Sequence, residues 1–193
     1  IWDKNATTND LGPIYGHQWR HFNAPYVDCH TKYEGIDQIQ YIIDCLKDPV
    51  KKYSRRLVLS AWNPSQLDQM ALPPCHILMQ FNVANDELSC SLYQRSGDLG
   101  LGVPFNILSY CALTHLIAHH CHLKAKEFIY HIGNAHVYDD HVEHLLLQVE
   151  KEPYPFAKIN INQHHDTIFE HGLSDIHITD YKSHEPIVLK MRK

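Results

Sequence analysis

The sequence lacks an apolar run long enough to cross a membrane, and its amino end lacks a basic segment followed by an apolar stretch. A membrane helix needs about 20 mostly apolar residues, and a secretory signal needs the second pattern. We therefore expect a cytosolic protein. A nuclear or organellar copy stays open, because the chain begins at Ile1 without an initiator Met.

Positive charge is also scarce. The 17 Lys and Arg residues are outnumbered by 22 Asp and Glu residues, which gives a formal net charge of -5. Broad electrostatic binding to DNA or RNA requires a basic face, so RNA binding stays open but is not indicated. Any bound phosphate must be held by a local group of arginines.

The six cysteines show no paired CxxC spacing and are too sparse for a small disulfide scaffold. We interpret them as thiols in a reducing compartment. The sequence also lacks repeats and low-complexity tracts, and 44% hydrophobic with 20% charged residues is typical of a globular domain. One domain is therefore expected.

The apolar spacing predicts alternating helices and strands. Residues 35–47 place Ile36, Ile39, Ile43 and Leu46 on one helical face. Strands are expected at 56–62, 76–84, 87–95, 126–138, 156–161 and 175–181, with a hairpin turn at Asn85 and Asp86, a buried helix at 106–123 and a short helix at 139–149. The fold class is α+β, a single domain with a mixed β-sheet flanked by helices.

The segment from Tyr93 to Asn106, YQRSGDLGLGVPFN, carries the most chemical information. Arg95 and Ser96 can hold a phosphate through a charged fork and a hydroxyl. Asn106 offers a donor and an acceptor on one planar group. A glycine-containing loop whose Arg makes only an ion pair is the alternative. Cys75, in PPCH, adds a nucleophile and favours pyrimidine nucleotide chemistry.

These motifs resemble those of thymidylate synthases, and the resemblance covers nearly the whole chain in order. It rests on 93–106 together with PIYGHQWRHF (13–22), SRRLVLSAWNP (54–64), MALPPCH (70–76), FNILSYCALTHLIAH (105–119), GNAHVYDDH (133–141) and EPYPFAKI (152–159). The resemblance implies that residues 1–193 form a thymidylate synthase domain that lacks its amino-terminal segment.

The implied reaction is reductive methylation of dUMP to dTMP. The co-substrate, 5,10-methylenetetrahydrofolate, would donate both the one-carbon unit and the hydride. By resemblance, Cys75 adds covalently to carbon 6 of the uracil, Tyr15 and His76 act on the carbon 5 proton through water, and Asn106 reads the base. These four are the expected catalytic residues.

The resemblance also implies the nucleotide-binding residues. They are Arg55, Arg56, Gln94, Arg95, Ser96, Asp98, Asn106, His136 and Tyr138, with His136 and Tyr138 at the sugar 3′-hydroxyl. In a strand, Arg55 and Arg56 would point to opposite faces. The family's arrangement has this pair reach the phosphate site of a second subunit, in a homodimer whose sheets pack back to back.

The folate-binding residues implied by the resemblance are Ile1, Trp2, Asp98, Leu101, Gly102 and Phe105. Asp98 would anchor the pterin ring, and the apolar side chains would surround it. Without the resemblance, each apolar residue would be interpreted as core.

Seventeen histidines raise the hypothesis of a metal site. His115 and His119 are four apart on a predicted helix, and His136, His141 and His144 cluster later. Zinc sites need a further ligand and supporting carboxylates, and no such set converges at these positions. We therefore expect no functional metal.

Three departures from the family limit the inference. The family's catalytic glutamate and a phosphate-covering arginine loop would lie upstream of Ile1, so this polypeptide alone is expected to be nearly inactive. Asn134 replaces a common Asp, and the end, VLKMRK, is basic rather than apolar. A dUMP hydroxymethylase and a catalytically inactive nucleotide- or RNA-binding homologue stay open as alternatives.

Overall fold

The computed structural model describes residues 2–6 and 8–192, except for the side chain of Lys4. Ile1, an expected folate contact, lies outside them. The helices are α1 (Trp2–Asn5), α2 (Tyr15–His21), α3 (Gln38–Lys47), α4 (Gly102–His120) and α5 (Val142–Val149), and the strands are β1 (Val58–Ser60), β2 (His76–Ala84), β3 (Glu87–Asp98), β4 (Lys124–His136), β5 (Lys158–Ile161) and β6 (Ile176–Thr179). No helix in the described part is both long and apolar enough to cross a bilayer.

The central sheet has four strands in the order β1-β2-β3-β4. The first two pairings are antiparallel, and β3 pairs with β4 in parallel. Strands β5 and β6 form a separate antiparallel pair. The sheet is therefore mixed, which confirms the predicted α+β fold class.

The hairpin between β2 and β3 was predicted correctly. Ala84 pairs with Glu87, so the connection contains only Asn85 and Asp86. Both have positive φ angles, 53° and 59°, as a two-residue type I′ turn requires. Asn and Asp tolerate this conformation better than most residues do, and the turn sets the register that carries Cys75 to the far end of the hairpin.

One face of the sheet packs against α3 and α4 and forms the core. Alternate residues of β2 and β3, including Met79, Phe81, Leu88 and Leu92, are almost fully buried. This period of two is the pattern expected for a sheet with one covered face. The core fixes β3, whose last residues enter the candidate site.

Helix α3 begins at Gln38 rather than at residue 35. Asp37 caps it, because its carboxylate accepts a hydrogen bond from the backbone NH of Gln40. Ile36 therefore precedes the helix, is 62% exposed and pairs with Phe22 instead. Its predicted place on the apolar helical face was wrong, whereas Ile43 and Leu46 are buried as expected.

Helix α4 begins at Gly102, four residues before the predicted start, so Asn106 lies in its second turn. Tyr110 and Ile117 are buried, but Phe105 and Leu108 are 67% and 51% exposed. The expectation of a helix buried on nearly all sides is thus wrong for the first half. Here one side of the helix faces an open groove.

Candidate active site

Cys75 lies immediately before β2, beside Arg95 of β3. The Arg95 backbone NH donates to the Cys75 carbonyl at 2.8 Å. Its guanidinium donates to the carbonyls of Pro74 and Pro73 at 2.8 and 3.1 Å, and Nη2 lies 3.9 Å from the Cys75 Sγ. The guanidinium thus places a positive charge beside the sulfur of a potential nucleophile.

Tyr15 and His76 form a stacked pair next to this cysteine. Their ring centroids are 4.0 Å apart, and the Cys75 backbone NH donates to the Tyr15 hydroxyl at 2.9 Å. Burial raises the pKa of Tyr15 to about 12 and lowers the pKa of His76 to about 4. Both side chains are therefore neutral near pH 7 and can relay a proton without holding a charge. Trp2 packs edge-on against Tyr15, with centroids 6.1 Å apart.

Tyr110 of α4 is a part of this cluster that the sequence analysis missed. Its hydroxyl lies 2.6 Å from His76 Nδ1, and burial raises its pKa far above the ordinary value. The hydroxyl thus stays protonated and can donate to Nδ1. The signal was its position four residues after Asn106, one turn along the same helical face.

Asn106 is held by a chain of hydrogen bonds. Gln94 is only 2% exposed, and its Nε2 donates to Asn106 Oδ1 at 3.1 Å and to the Ser96 carbonyl at 2.8 Å. Tyr130 of β4, which the sequence analysis also missed, donates to Gln94 Oε1 at 2.6 Å. Alternation along β4 places Tyr130 on the side facing α4, which was the available signal. Gln94 therefore orients the amide of Asn106.

The parallel pairing of β3 and β4 gathers a further group at the same edge. Ser96 pairs with Asn134, and Asp98 pairs with His136. The rings of His136 and Tyr138 are in edge contact, 5.3 Å apart. His136 Nδ1 lies 3.2 Å from Asn134 Oδ1, so the Asn134 substitution retains a hydrogen-bond acceptor for this histidine.

Asp98 closes the turn that leads into α4. Its two carboxylate oxygens accept backbone hydrogen bonds from Gly100 and Leu101, at 2.9 and 3.3 Å. His141 is fully buried next to it, with Nδ1 3.9 Å from Asp98 Oδ1 and Nε2 2.8 Å from the Lys190 carbonyl. The chain near the carboxyl end thus lies close to this turn.

An apolar cavity of about 1040 Å³ lies against the exposed side of α4. Two expected folate contacts, Leu101 and Phe105, line it together with apolar residues of α5 and of the last 40 residues. Cys75, Arg95 and Asn106 are not among its lining residues. The expected folate contacts are therefore divided, with Trp2 beside Tyr15 and Phe105 in this groove.

Arg55 and Arg56 do not join the cluster. They occupy a turn before β1, so Arg56 does not belong to the strand that was predicted at 56–62, and both residues are exposed. The argument about opposite strand faces therefore does not apply to them. Their exposure leaves them free to contact another molecule.

Comparisons with known proteins identify the family of the chain. The family model described as thymidylate synthase matches residues 1–193. The chain is 47% identical to the thymidylate synthase of Homo sapiens, 47% to a bifunctional dihydrofolate reductase-thymidylate synthase of Paramecium tetraurelia, and 49% to that of Plasmodium berghei (strain Anka). Each match covers 99% of this chain but only 65%, 44% and 35% of the respective relative. The chain thus spans from about a third to about two thirds of their lengths.

Proposed function

Because the chain belongs to the thymidylate synthase family, we propose that the protein converts dUMP to dTMP with 5,10-methylenetetrahydrofolate as co-substrate. The observation that carries the proposal is the Cys75 sulfur 3.9 Å from the Arg95 guanidinium. Cys75 is hydrogen-bonded to Arg95 of β3. The residue before Arg95 is Gln94, whose buried amide orients Asn106. Nucleophile, positive charge and base-reading amide thus belong to one site.

Nucleotide binding uses three parts of the cluster. Arg95 and Ser96 hold the 5′-phosphate, and His136 with Tyr138 holds the sugar 3′-hydroxyl. Asn106 pairs with the ring NH and a carbonyl of uracil. Cytosine presents the reversed pattern, so a dry site that fixes the Asn106 amide rejects it. Gln94 supports this selection, because a flip of the Asn106 amide would break the hydrogen bond that Gln94 Nε2 donates to Asn106 Oδ1.

The reaction begins when the Cys75 thiolate adds to carbon 6 of uracil, which makes carbon 5 a nucleophile. Carbon 5 then bonds to the methylene carbon of the folate, which breaks the bond from this carbon to one of its two nitrogens. Loss of the carbon 5 proton, through water ordered by Tyr15 and His76, expels tetrahydrofolate from the same carbon and leaves an exocyclic methylene on carbon 5. Hydride transfer from this tetrahydrofolate to the exocyclic methylene expels the Cys75 thiolate from carbon 6 and gives dTMP and dihydrofolate. Asp98 and the apolar residues Trp2, Leu101 and Phe105 bind the folate in this proposal, with Gly102 at the same turn.

We further propose that two copies form a homodimer with their sheets packed back to back. The exposed Arg55 and Arg56 then reach the phosphate site of the partner. The uncovered sheet face carries Leu78 and Tyr93, which are 41% and 43% exposed. Such a two-fold contact uses the same patch on both copies. The proposal includes a cytosolic location for the dimer.

Covalent trapping tests the function in the protein expressed from its complete native reading frame. Incubation with 5-fluoro-dUMP and the folate is expected to add the mass of both ligands, because fluorine at carbon 5 blocks proton loss. The Cys75→Ala variant is the control and should add neither. If the wild-type protein binds dUMP but forms no adduct, it is the inactive homologue and the proposal fails.

Product analysis separates the two enzymatic alternatives. Release of dTMP with dihydrofolate supports the synthase. Release of hydroxymethyl-dUMP with tetrahydrofolate instead identifies the hydroxymethylase, because water has then replaced the hydride. Both assays use dUMP and the folate under the same conditions.

A further inference from the structure

A second group of polar side chains lies at the carboxyl end of α4, far from Cys75. We call it the histidine cluster and define it as His165, His171 and Asp175. The His171 ring lies 6.0 and 6.1 Å from the rings of His119 and His120, in the last turn of α4. Since α4 rises 1.5 Å per residue, His120 and Asn106 are roughly 20 Å apart along it. The histidine cluster is therefore distinct from the candidate active site.

The spacing of its atoms suits a small cation. One possible ligand atom from each of the three residues lies within 4.8 Å of the other two. His165 Nε2 is 3.1 Å and His171 Nδ1 is 3.9 Å from Asp175 Oδ2. A tetrahedral zinc site with bonds of about 2.0–2.1 Å has ligand atoms about 3.3–3.4 Å apart. The two observed distances lie on either side of this value.

His171 gives an independent indication of a missing ligand. Its side chain is only 1% exposed. Among the residues that the structure describes, neither of its ring nitrogens has a hydrogen-bond partner. Leaving a buried polar group unsatisfied costs about 1–3 kcal/mol, so such a group in a folded protein needs an explanation, and a bound ion is one. His171 Nδ1 therefore lies 3.9 Å from Asp175 Oδ2, an oxygen that is in hydrogen-bond contact with His165 Nε2, and has no hydrogen-bond partner of its own among the described residues.

The surroundings also favour a positive ion. The carbonyl end of a helix carries partial negative charge, and His119 and His120 mark that end of α4. Glu170, the neighbour of His171 in the chain, adds a carboxylate, which accepts the Thr167 backbone NH at 3.0 Å. The one opposing charge on α3 that contacts this end is Lys47, whose Nζ lies 2.9 Å from His120 Nε2. Lys47 thus engages His120 and not the three residues of the histidine cluster.

We propose that His165, His171 and Asp175 bind a Zn²⁺ ion, with water completing a tetrahedral set. Two imidazoles and one carboxylate are an established protein ligand set for zinc. Asp175 Oδ2 already accepts the Gly172 backbone NH at 2.9 Å, which orients the carboxylate as an outer partner of a metal ligand does. The ion ties His165 to the turn at 171–175 and so holds the segment 165–175 in its observed conformation.

Metal titration tests the site directly. The intact protein is stripped with a chelator and titrated with Zn²⁺ by calorimetry, and with Co²⁺ by visible absorption. Co²⁺ reports geometry, because its tetrahedral complexes absorb far more strongly than its aqueous ion. One equivalent of Zn²⁺ and a tetrahedral Co²⁺ spectrum that Zn²⁺ displaces are the expected results. Zn²⁺ should also raise the melting temperature, since it binds only the folded chain.

Variants distinguish this site from the other histidines and from Cys75. His165→Asn and Asp175→Asn should weaken Zn²⁺ binding by at least about 10-fold, since even the loss of an outer partner costs that much. His177→Asn and Asp180→Asn are matched controls, because both residues are exposed and lie on or beside β6. Both controls should keep the wild-type affinity.

His171→Asn is a further variant, interpreted only if circular dichroism shows that it folds. The more exposed His165 keeps the test decisive if it does not, since its side chain is 30% exposed. Wild-type affinity in His165→Asn and Asp175→Asn would overturn the proposal, and so would an octahedral Co²⁺ spectrum. Equal losses in the controls would show adventitious binding and would overturn it as well.

Discussion

The two ends of helix α4 satisfy their polar groups in opposite ways. At the amino end, Asn106 receives a hydrogen bond from Gln94, which in turn receives one from Tyr130. At the carboxyl end, His171 is buried with both ring nitrogens unpaired among the described residues. The amino end is thus arranged in advance for a ligand that matches its donors and acceptors. The carboxyl end instead presents lone pairs, which a cation can satisfy.

The largest expected effect comes from replacing the nucleophile of the site at the amino end of α4. Cys75→Ser should lower kcat by at least about 10⁴-fold, because a serine hydroxyl beside Arg95 is a far weaker nucleophile than a thiolate. Cys29→Ser, at an exposed cysteine, is the matched control and should keep most activity. Steady-state kinetics in the full-length protein measure both. Equal losses in the two variants would contradict the assignment of Cys75.

The next effect concerns the choice of base at the same end. Asn106→Asp should shift kcat/KM by roughly 100-fold from dUMP towards dCMP, because a carboxyl group matches the reversed pattern of cytosine. The bond from Gln94 Nε2 can persist, since Oδ1 remains an acceptor. Kinetics with each nucleotide measure the ratio. An unchanged preference would mean that another group reads the base.

A smaller effect concerns the pH dependence of stability at the same end of α4. It depends on His76, which is in contact with the Tyr110 hydroxyl. The folded pKa of His76 is about 4, below the ordinary value of 6.5. As pH falls, His76 therefore takes up a proton in the unfolded chain before it does so in the folded protein. The contribution of neutral His76 to the free energy of unfolding is fully present above pH 6.5 and is lost as pH falls towards 4. This histidine alone accounts for about 3 kcal/mol of that loss.

Denaturant unfolding at several pH values measures this loss. His76→Gln should flatten the dependence between pH 6.5 and 4. The exposed His131→Gln is the control and should leave it as in the wild type. If both variants behave like the wild type, His76 is not the group that resists protonation.

The smallest expected effect comes from a substitution in α4 between its two ends. Thr114 is buried, and its hydroxyl donates to the Tyr110 carbonyl one turn earlier, at 2.7 Å. Thr114→Val should lower the free energy of unfolding by about 1 kcal/mol and leave kcat within about twofold. Thermal unfolding and kinetics check the two parts. A large fall in kcat would show that the ends do not behave independently.

Local signals in the sequence predicted much of the fold. Asn85 and Asp86 were sufficient for the hairpin, because few residues accept two successive positive φ angles. The sequence analysis placed Arg95 and Asn106 in one binding segment, and in the structure Gln94, the neighbour of Arg95, donates to Asn106. Strand alternation alone would also have reached Tyr130, had it been followed along β4.

The errors concern features that depend on tertiary context. Helix α4 starts early because Asp98 fixes the turn before it, through bonds to Gly100 and Leu101. Arg56 was assigned to a strand from its neighbours, but β1 is paired only from Val58 to Ser60. The histidine cluster was missed because its residues follow no zinc spacing. The folded chain, and not the sequence interval, brings them together.

Arg95 spans two tasks that are usually separable. Its guanidinium is tied to the carbonyls of Pro73 and Pro74, directly before Cys75, and it is also the proposed phosphate ligand. A substitution that alters one of these roles therefore alters the other, so few single changes at Arg95 could affect phosphate binding without also affecting the surroundings of Cys75. The same coupling suggests a strategy for inhibitors. A ligand group that displaces the Arg95 guanidinium should lower the reactivity of the Cys75 thiol without contacting the sulfur.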